Sequence, residues 1–558
     1  MNLLGPDAVD AKRLREDVFR AADLIQAAPP GPIVLASQSD GAFLRAALGT
    51  IEAGRTLLPL DPSAPAREVA PFLEGAGLLL LDTETAERWT APEGTGVRRI
   101  APAARPSAWQ RLLGRKRTIP TAFPACLAGH TPAAPAAPSR DDVGVLLRTS
   151  GTTSRPRLVP WRHSALRAQQ DTLAAALQLG HDSRLMNLLP MHHIDGLVMG
   201  AMLAWRSGAD LIRVGPRVVE DLAAVLDAIW RDDATHLIAT PTLLALLLRA
   251  GEDLREVFSA RRFRMVVSTA APLPDPIWQR FEALTGRPVV NVYGLTETGN
   301  LFFAGPDDDS RQKGTVGSPR DCEVALMGED GAPTPPEADG EIWIRGPSVM
   351  QHYTDGESPL TDGWYPTGDV GRRVGGCYAI VGRVKAMISV GGLKVAPNEV
   401  SQTLLLHPGV RDARVYSEPD TILGERVVAT VVPEEPGSID VQALTDWLRD
   451  HLSEHKLPRT IYMADHVSRG PTGKPVARAE GSAMEQVMAL AARTFRTPAD
   501  QLTPSTRPGD VPGWDSLGHL DFVVALEDVF GIRVTARELV RLRSLADAIG
   551  LVESHVGA

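Results

Sequence analysis

Cysteine is scarce. The 558 residues hold three, Cys126, Cys322 and Cys377, at spacings that fit no metal-ligand pattern. Three are too few for a disulfide framework, which points to a reducing cytoplasm. Long apolar runs are missing too. The longest, such as Leu243–Leu248, fall far short of the roughly 20 residues a membrane span needs. The first residues, Met1–Asp7, offer neither a basic n-region nor an apolar h-region, so no signal peptide is expected. Positive charge is in deficit, with 58 Lys and Arg against 68 Asp and Glu, a formal net charge of -10. That balance argues against nucleic acid and anionic membrane as main partners. Three signatures are also absent. No Gly-x-Gly-x-x-Gly occurs, so a dinucleotide site has no support. Gly473-Lys474 is followed by proline rather than Ser or Thr, so there is no Walker A sequence. A Gly-x-Ser-x-Gly elbow around Ser516 fails because Trp514 stands where glycine is needed.

What is present is the composition of an ordinary globular protein, 44% hydrophobic and 23% charged. The length suits three or four domains of about 100–200 residues each. Short apolar runs alternate with helical patterns. Ile33–Ala36, Arg55–Leu60, Leu78–Asp82, Val143–Leu147, Arg264–Ser268 and Val289–Val292 read as strands. Ala42–Ala53 and Pro276–Thr285 read as helices. This predicts an α/β large domain over 1–382 with a largely parallel sheet. A Pro/Ala connector spans Thr131–Ser139. The character then changes. A small α+β subdomain is expected over 383–480, with a helix near Ala396–Leu406, a strand at Val427–Val432 and a helix at Val441–Leu452. A wholly helical segment follows over 483–558. No internal repeat is visible.

The chemistry begins at Thr149-Ser150-Gly151-Thr152-Thr153-Ser154-Arg155-Pro156-Arg157. Backbone N–H groups of such a loop can form a nest for phosphate oxygens, and the arginines add charge-assisted bonds. Alone, the loop reads equally well as a surface linker. Four more motifs follow in order: Asn291-Val292-Tyr293-Gly294-Leu295-Thr296-Glu297-Thr298, Trp364–Gly371, Gly382-Arg383-Val384-Lys385 and Arg469–Lys474. From about Gly31 to Glu480 the chain resembles the adenylate-forming superfamily: acyl-CoA synthetases, fatty-acyl and aryl-acid ligases, luciferases and nonribosomal-peptide adenylation domains.

The resemblance implies a carboxylic acid attacking ATP at the α-phosphorus to give acyl-AMP and pyrophosphate. Positioning and charge screening then dominate catalysis. Thr149, Ser150, Gly151, Thr152, Thr153 and Arg157 would hold the β- and γ-phosphates. The family usually has Lys at 157 and Gly at 154. Tyr293 would stack on adenine beside Gly294, and Thr296 would bond the α-phosphate. Glu297 would ligate Mg2+, which takes few carboxylates and completes its shell with phosphate and water; alone, it reads as a glutamate in a helix first turn. Asp369 and Arg383 would hold the ribose; alone, Asp369 reads as a turn aspartate. Lys385 would be the hinge of the small subdomain, and Lys474 would bridge the acid and the α-phosphate. In Leu189–Gly196, His193 takes the position of the acyl-pocket histidine. Ile194 stands where amino-acid-activating members carry Asp, which favours an acid without an α-amine. Asp195, one residue on, keeps a β- or ω-amino acid open.

Asp515-Ser516-Leu517 resembles the attachment site of acyl and peptidyl carrier proteins. Leu520, Val523, Val524, Leu526 and Phe530 recur at helical spacing after it. The resemblance implies an all-α four-helix carrier domain bearing 4'-phosphopantetheine on Ser516. Alone, Ser516 reads as a helix cap. The implied protein is a ligase that loads its own carrier in secondary-metabolite or lipid biosynthesis. Its partners would be a phosphopantetheinyl transferase and downstream synthase or tailoring enzymes. The alternatives are an acyl-CoA ligase whose carrier is loaded separately and a β-/ω-amino-acid adenylation didomain.

Overall fold

The computed structural model describes residues 1–100, 127, 130, 132–149, 157–214, 222–305, 312–464 and 483–495, interrupted at 65, 252, 261, 391–392, 421–422 and 436–437. Past 495 it describes 497, 501–507, 510–511, 514, 522, 526, 530 and 542–556. The chain forms two compact units, Met1–Met387 and Ile388–Ala558. The division falls just after the short turn Val384–Ala386 that contains Lys385.

The first unit holds three sheets. In one, the strands run in the order Gly96–Arg99, Leu78–Leu81, Ile33–Ala36, Leu57–Pro59, Val143–Arg148, Leu158–Arg162. All pairs are parallel except the last, an antiparallel hairpin. Every residue of Ile33–Ala36 and Leu78–Leu81 is buried. Both faces of these strands are covered, which is why they read as continuous apolar runs rather than alternating ones. The second sheet has eight strands. Asp210–Ile212, Arg184–Asn187, His236–Ala239, Met265–Ser268 and Val289–Leu295 run parallel. Val289–Leu295 then turns back into the antiparallel Gly299–Ala304. A four-stranded antiparallel sheet of Glu323–Met327, Gly340–Arg345, Tyr365–Val374 and Cys377–Arg383 completes the unit.

Helices close these layers. Ala11–Gln26 starts at Asp10, whose side chain accepts from the Arg13 N–H at 3.0 Å, an N-cap bond. Its Leu14, Val18, Ala21 and Ile25 are buried at helical spacing. Asp17 on the same face pairs with the buried Arg45 of helix Asp40–Glu52 at 3.0 Å.

In the second unit, Leu393–Val395, Ile388–Val390, Gly424–Pro433 and Val410–Asp420 form an antiparallel sheet, and Thr460–Met463 adds in parallel to Gly424–Pro433. Helices Pro397–Leu406 and Val441–Arg449 contribute Val400, Leu404, Leu444 and Leu448 to its core. A separate apolar cluster lies further along, where helices Ala483–Thr494 and Leu545–Val556 gather around the fully buried Trp514. These are the helices described past 480. The remainder of the expected four-helix pattern lies outside the described residues.

Candidate active site

The turn Thr296–Thr298 joins Val289–Leu295 to Gly299–Ala304. It is a β-hairpin turn, which overturns the reading of Glu297 as a helix-first-turn residue. Two glycines allow it. An added Cβ on Gly294 would lie 2.1 Å from the Gly299 carbonyl oxygen. Gly299 itself has φ +80°, and an added Cβ there would meet Gln169 Oε1 at 1.8 Å; only glycine tolerates both constraints. Three consecutive carbonyls then tie the turn to its surroundings. Thr296 O accepts from Trp161 Nε1 at 3.0 Å, Glu297 O from the Met350 N–H at 3.0 Å, and Thr298 O from Ser348 Oγ at 2.7 Å.

The Glu297 carboxylate meets a residue the sequence did not single out. Tyr353 donates its hydroxyl to Glu297 Oε1 at 3.4 Å. Arg157 lies over the Tyr353 ring at 3.8 Å. Its guanidinium bonds Glu357 at 2.6 and 3.2 Å and Asp355 at 2.9 Å. These hydrogen bonds lower the Asp355 carboxyl below its ordinary value. Sequence reasoning missed Asp355 and Glu357 because Thr354–Glu357 reads as a plain turn. The partners are about 200 positions apart in the chain, and no local pattern carries the pairing. The Thr149–Arg157 loop is closed at its base, where Thr149 N–H donates to Arg157 O at 2.9 Å and Arg157 N–H to Thr149 Oγ1 at 3.2 Å. Ser150, Gly151, Thr152 and Thr153 lie outside the described residues.

Asp369 sits within strand Tyr365–Val374, not in a turn, and is 4% exposed. Arg383 Nε donates to its Oδ1 at 2.7 Å, and the Tyr293 hydroxyl donates to its Oδ2 at 2.8 Å. Register sets this up, since Asp369 pairs directly with Arg383 across the sheet. Burial, then the Asp369 charge, raises the Tyr293 phenol well above its ordinary value. The Arg383 guanidinium is raised as well: burial acts against it, and Asp369, Tyr293 and Glu297 outweigh that. Tyr293 also packs edge-on against Phe302 at 5.3 Å. Glu297, Tyr293, Asp369 and Arg383 thus share one electrostatic neighbourhood.

In Leu189–Gly196, His193 precedes the short helix Ile194–Gly196. Its ring stacks obliquely on His192 at 4.5 Å. Burial, with His193 and Arg148 adding, pushes His192 down to about 4. Asp61 at the same place is lowered: burial opposes this, while Ser63, His192 and His193 favour it. Asp195 is 8% exposed. Its Oδ1 accepts from Asn300 at 2.9 Å and Thr269 at 3.1 Å, and its carbonyl accepts from Asn187 at 2.9 Å. The carboxylate therefore ties this segment to the strand that leaves the Glu297 turn. Ile194 packs partly buried against the main core. Lys474 and Ser516 lie outside the described residues, as does the side chain of Lys385.

Among the described residues, no three His, Cys, Asp or Glu converge to hold a metal ion. The donor set still suits Mg2+ carried in by a nucleotide: one hard carboxylate, Glu297, with phosphate and water supplying the rest.

The AMP-binding enzyme family matches residues 10–354, and the AMP-binding enzyme C-terminal domain matches 399–474. The chain belongs to the AMP-binding enzyme family. Sulfoacetate–CoA ligase of Cupriavidus necator is 35% identical over 364 residues, 63% of this chain and 69% of that one. Oxalate–CoA ligase of Arabidopsis thaliana is 30% identical over 345 residues, 60% of this chain and 66% of that one. The matched stretches thus span about two thirds of each relative. ATP-bound MatB from Rhodopseudomonas palustris superimposes with a TM-score of 0.74 at 26% identity, covering 84% of this chain and 92% of that one. This AMP-binding family member is an adenylate-forming enzyme of the acid–thiol ligase class. No helix among the described residues is long and apolar enough to cross a membrane.

Proposed function

We propose that this chain activates a small carboxylic acid with ATP and passes the acyl group to the thiol of coenzyme A. The observation that carries the reading is the Tyr293–Asp369–Arg383 triad beside the Glu297 turn. The named relatives act with coenzyme A on sulfoacetate and oxalate. Short acids with a second acidic group are therefore the first substrates to try.

The buried Asp369 carboxylate, fixed by Arg383 and Tyr293, accepts hydrogen bonds from the ribose hydroxyls. Arg157 meets the β- and γ-phosphates, and Lys474 brings the acid's carboxylate to the α-phosphorus. Mg2+ at Glu297 would neutralise phosphate charge. The carboxylate oxygen bonds the α-phosphorus as the bond to pyrophosphate breaks. The thiol sulfur then bonds the carbonyl carbon, loses its proton, and AMP leaves. His193 and Ile194 line the acid's site, and Asp195 braces the segment that carries them.

A second reading has its own support. Beyond residue 474 the chain continues into an apolar cluster with its own centre at Trp514, and Ser516 is two residues further on. In that reading the acceptor is 4'-phosphopantetheine on Ser516.

One experiment separates the two. Phosphopantetheinylated protein is incubated with Mg-ATP, a panel of small di-acids, fatty, aryl and amino acids, and coenzyme A. Free acyl-CoA, with protein mass unchanged, supports the ligase. A gain in protein mass that vanishes in Ser516→Ala supports the carrier. Pyrophosphate release from none of the acids in the panel would defeat both.

A further inference from the structure

The Glu297 turn is held at each of its carbonyls. Each of its three backbone carbonyls accepts a bond from a different neighbour: Trp161, the Met350 N–H and Ser348. With the backbone fixed, what remains to be set is the direction of the Glu297 carboxylate. Tyr353 reaches it through its hydroxyl. At 3.4 Å this is long for an O–H···O bond. The bonds to Asp369 are shorter, at 2.7 Å and 2.8 Å.

Tyr353 is itself held on every side. Its N–H donates to Glu357 O at 2.9 Å, and its carbonyl accepts from the Gly356 N–H at 3.0 Å. The Arg157 guanidinium covers the ring and is clamped by Glu357 and Asp355. The ring therefore meets the phosphate-loop cation with its face and the candidate metal carboxylate with its edge.

We propose that Tyr353 is a positioning residue that orients the Glu297 carboxylate toward the cation accompanying ATP. The inference rests on reading Glu297 as the carboxylate that meets that cation. Hydrogen bonds to a ligating carboxylate typically govern about ten- to a hundredfold in metal affinity. Tyr353→Phe removes the hydroxyl and keeps the ring under Arg157.

The test is Mn2+ bound by the full-length protein in the presence of a non-hydrolysable ATP analogue, followed by electron paramagnetic resonance. Binding of the analogue without metal is measured in parallel. Tyr353→Phe should weaken Mn2+ by about tenfold, leaving metal-free analogue binding and the melting temperature at wild-type values. Glu297→Gln serves as reference. If Glu297→Gln weakens Mn2+ and Tyr353→Phe does not, the positioning role is wrong while the Glu297 reading stands. If Glu297→Gln also binds Mn2+ like wild type, the Glu297 reading fails and takes the inference with it. If Tyr353→Phe weakens the analogue equally without metal, Tyr353 is a general support and the proposal is overturned.

Discussion

Arg383 donates its Nε hydrogen to Asp369 Oδ1 at 2.7 Å, directly opposite it across an antiparallel strand pair. The carboxylate is buried and the guanidinium about half exposed. One end of the pair is thus fixed in the sheet while the other reaches solvent, the arrangement a ribose clamp needs. Asp369→Asn keeps the shape and removes the charge. The affinity for an ATP analogue should fall about tenfold or more, the worth of one hydrogen bond to a charged group. Calorimetric titration measures it, and an unchanged affinity would remove Asp369 from the nucleotide site.

Arg157 makes a different kind of contact. Its planar fork bonds Glu357 and Asp355 while its face lies on Tyr353. Lysine carries the same charge but can neither fork nor stack in this way. Arg157→Lys should raise the KM for ATP about threefold and Arg157→Ala more than tenfold, as expected for losing a charge-assisted phosphate contact. The KM for the acid should hardly move in either. Equal changes in both constants would show that Arg157 supports the fold rather than the phosphates.

Much of this was legible in the sequence, and the reasons differ from element to element. Ile33–Ala36 and Leu78–Leu81 announce themselves because a strand covered on both faces must be apolar throughout. Gly294 and Glu297 stand out because motif order marks them, yet the sequence alone could not say that their turn is a hairpin. Asp369 could be named but not its setting, since a strand interior and a turn can share the same Thr-Gly-Asp. Tyr353, Asp355 and Glu357 were invisible for another reason. Their importance comes from meeting Arg157 and Glu297 across long stretches of chain, and long-range pairing leaves no local periodicity to read. Asp195 stood out because it lies one residue past the position where amino-acid-activating relatives carry Asp; its partners Thr269 and Asn300 emerge only from the fold.

His236 gives a pH prediction. It is fully buried at the start of strand His236–Ala239, with Nε2 on the Leu177 carbonyl at 2.9 Å and Nδ1 on Thr235 Oγ1 at 2.7 Å. Burial pushes it down to about 4; the Leu177 bond opposes this and Arg264 adds to it. Above the unfolded value of about 6.5 the ring is neutral in both states and stability is unaffected. As pH falls from there toward 4, the unfolded chain takes up a proton that the folded chain refuses. Stability is therefore lost across that window, by about 3 kcal/mol once pH passes below 4. Urea unfolding at a series of pH values should show this slope, and His236→Gln should flatten it. A slope identical in the variant would assign the acid sensitivity to other groups.

The apolar cluster past residue 480 makes the last prediction. Trp514 is fully buried, stacked on Phe495 with centroids 4.4 Å apart and meeting Phe522 at 5.6 Å. Its neighbours Val487, Leu490, Leu545 and Val552 come from the two flanking helices. They are a separate set from the Val400, Leu404, Leu444 and Leu448 core of the preceding sheet. Emptying the centre of a small core costs about 3–5 kcal/mol, comparable to the whole stability of a module this size. Trp514→Ala should therefore unfold the C-terminal segment alone. Hydrogen exchange would show protection lost over 483–556 and kept over 388–463, with acid-dependent pyrophosphate exchange at the wild-type rate. If exchange activity is lost together with that protection, the segment is part of the ligase's own fold, and the carrier reading of Ser516 loses the structural autonomy it requires.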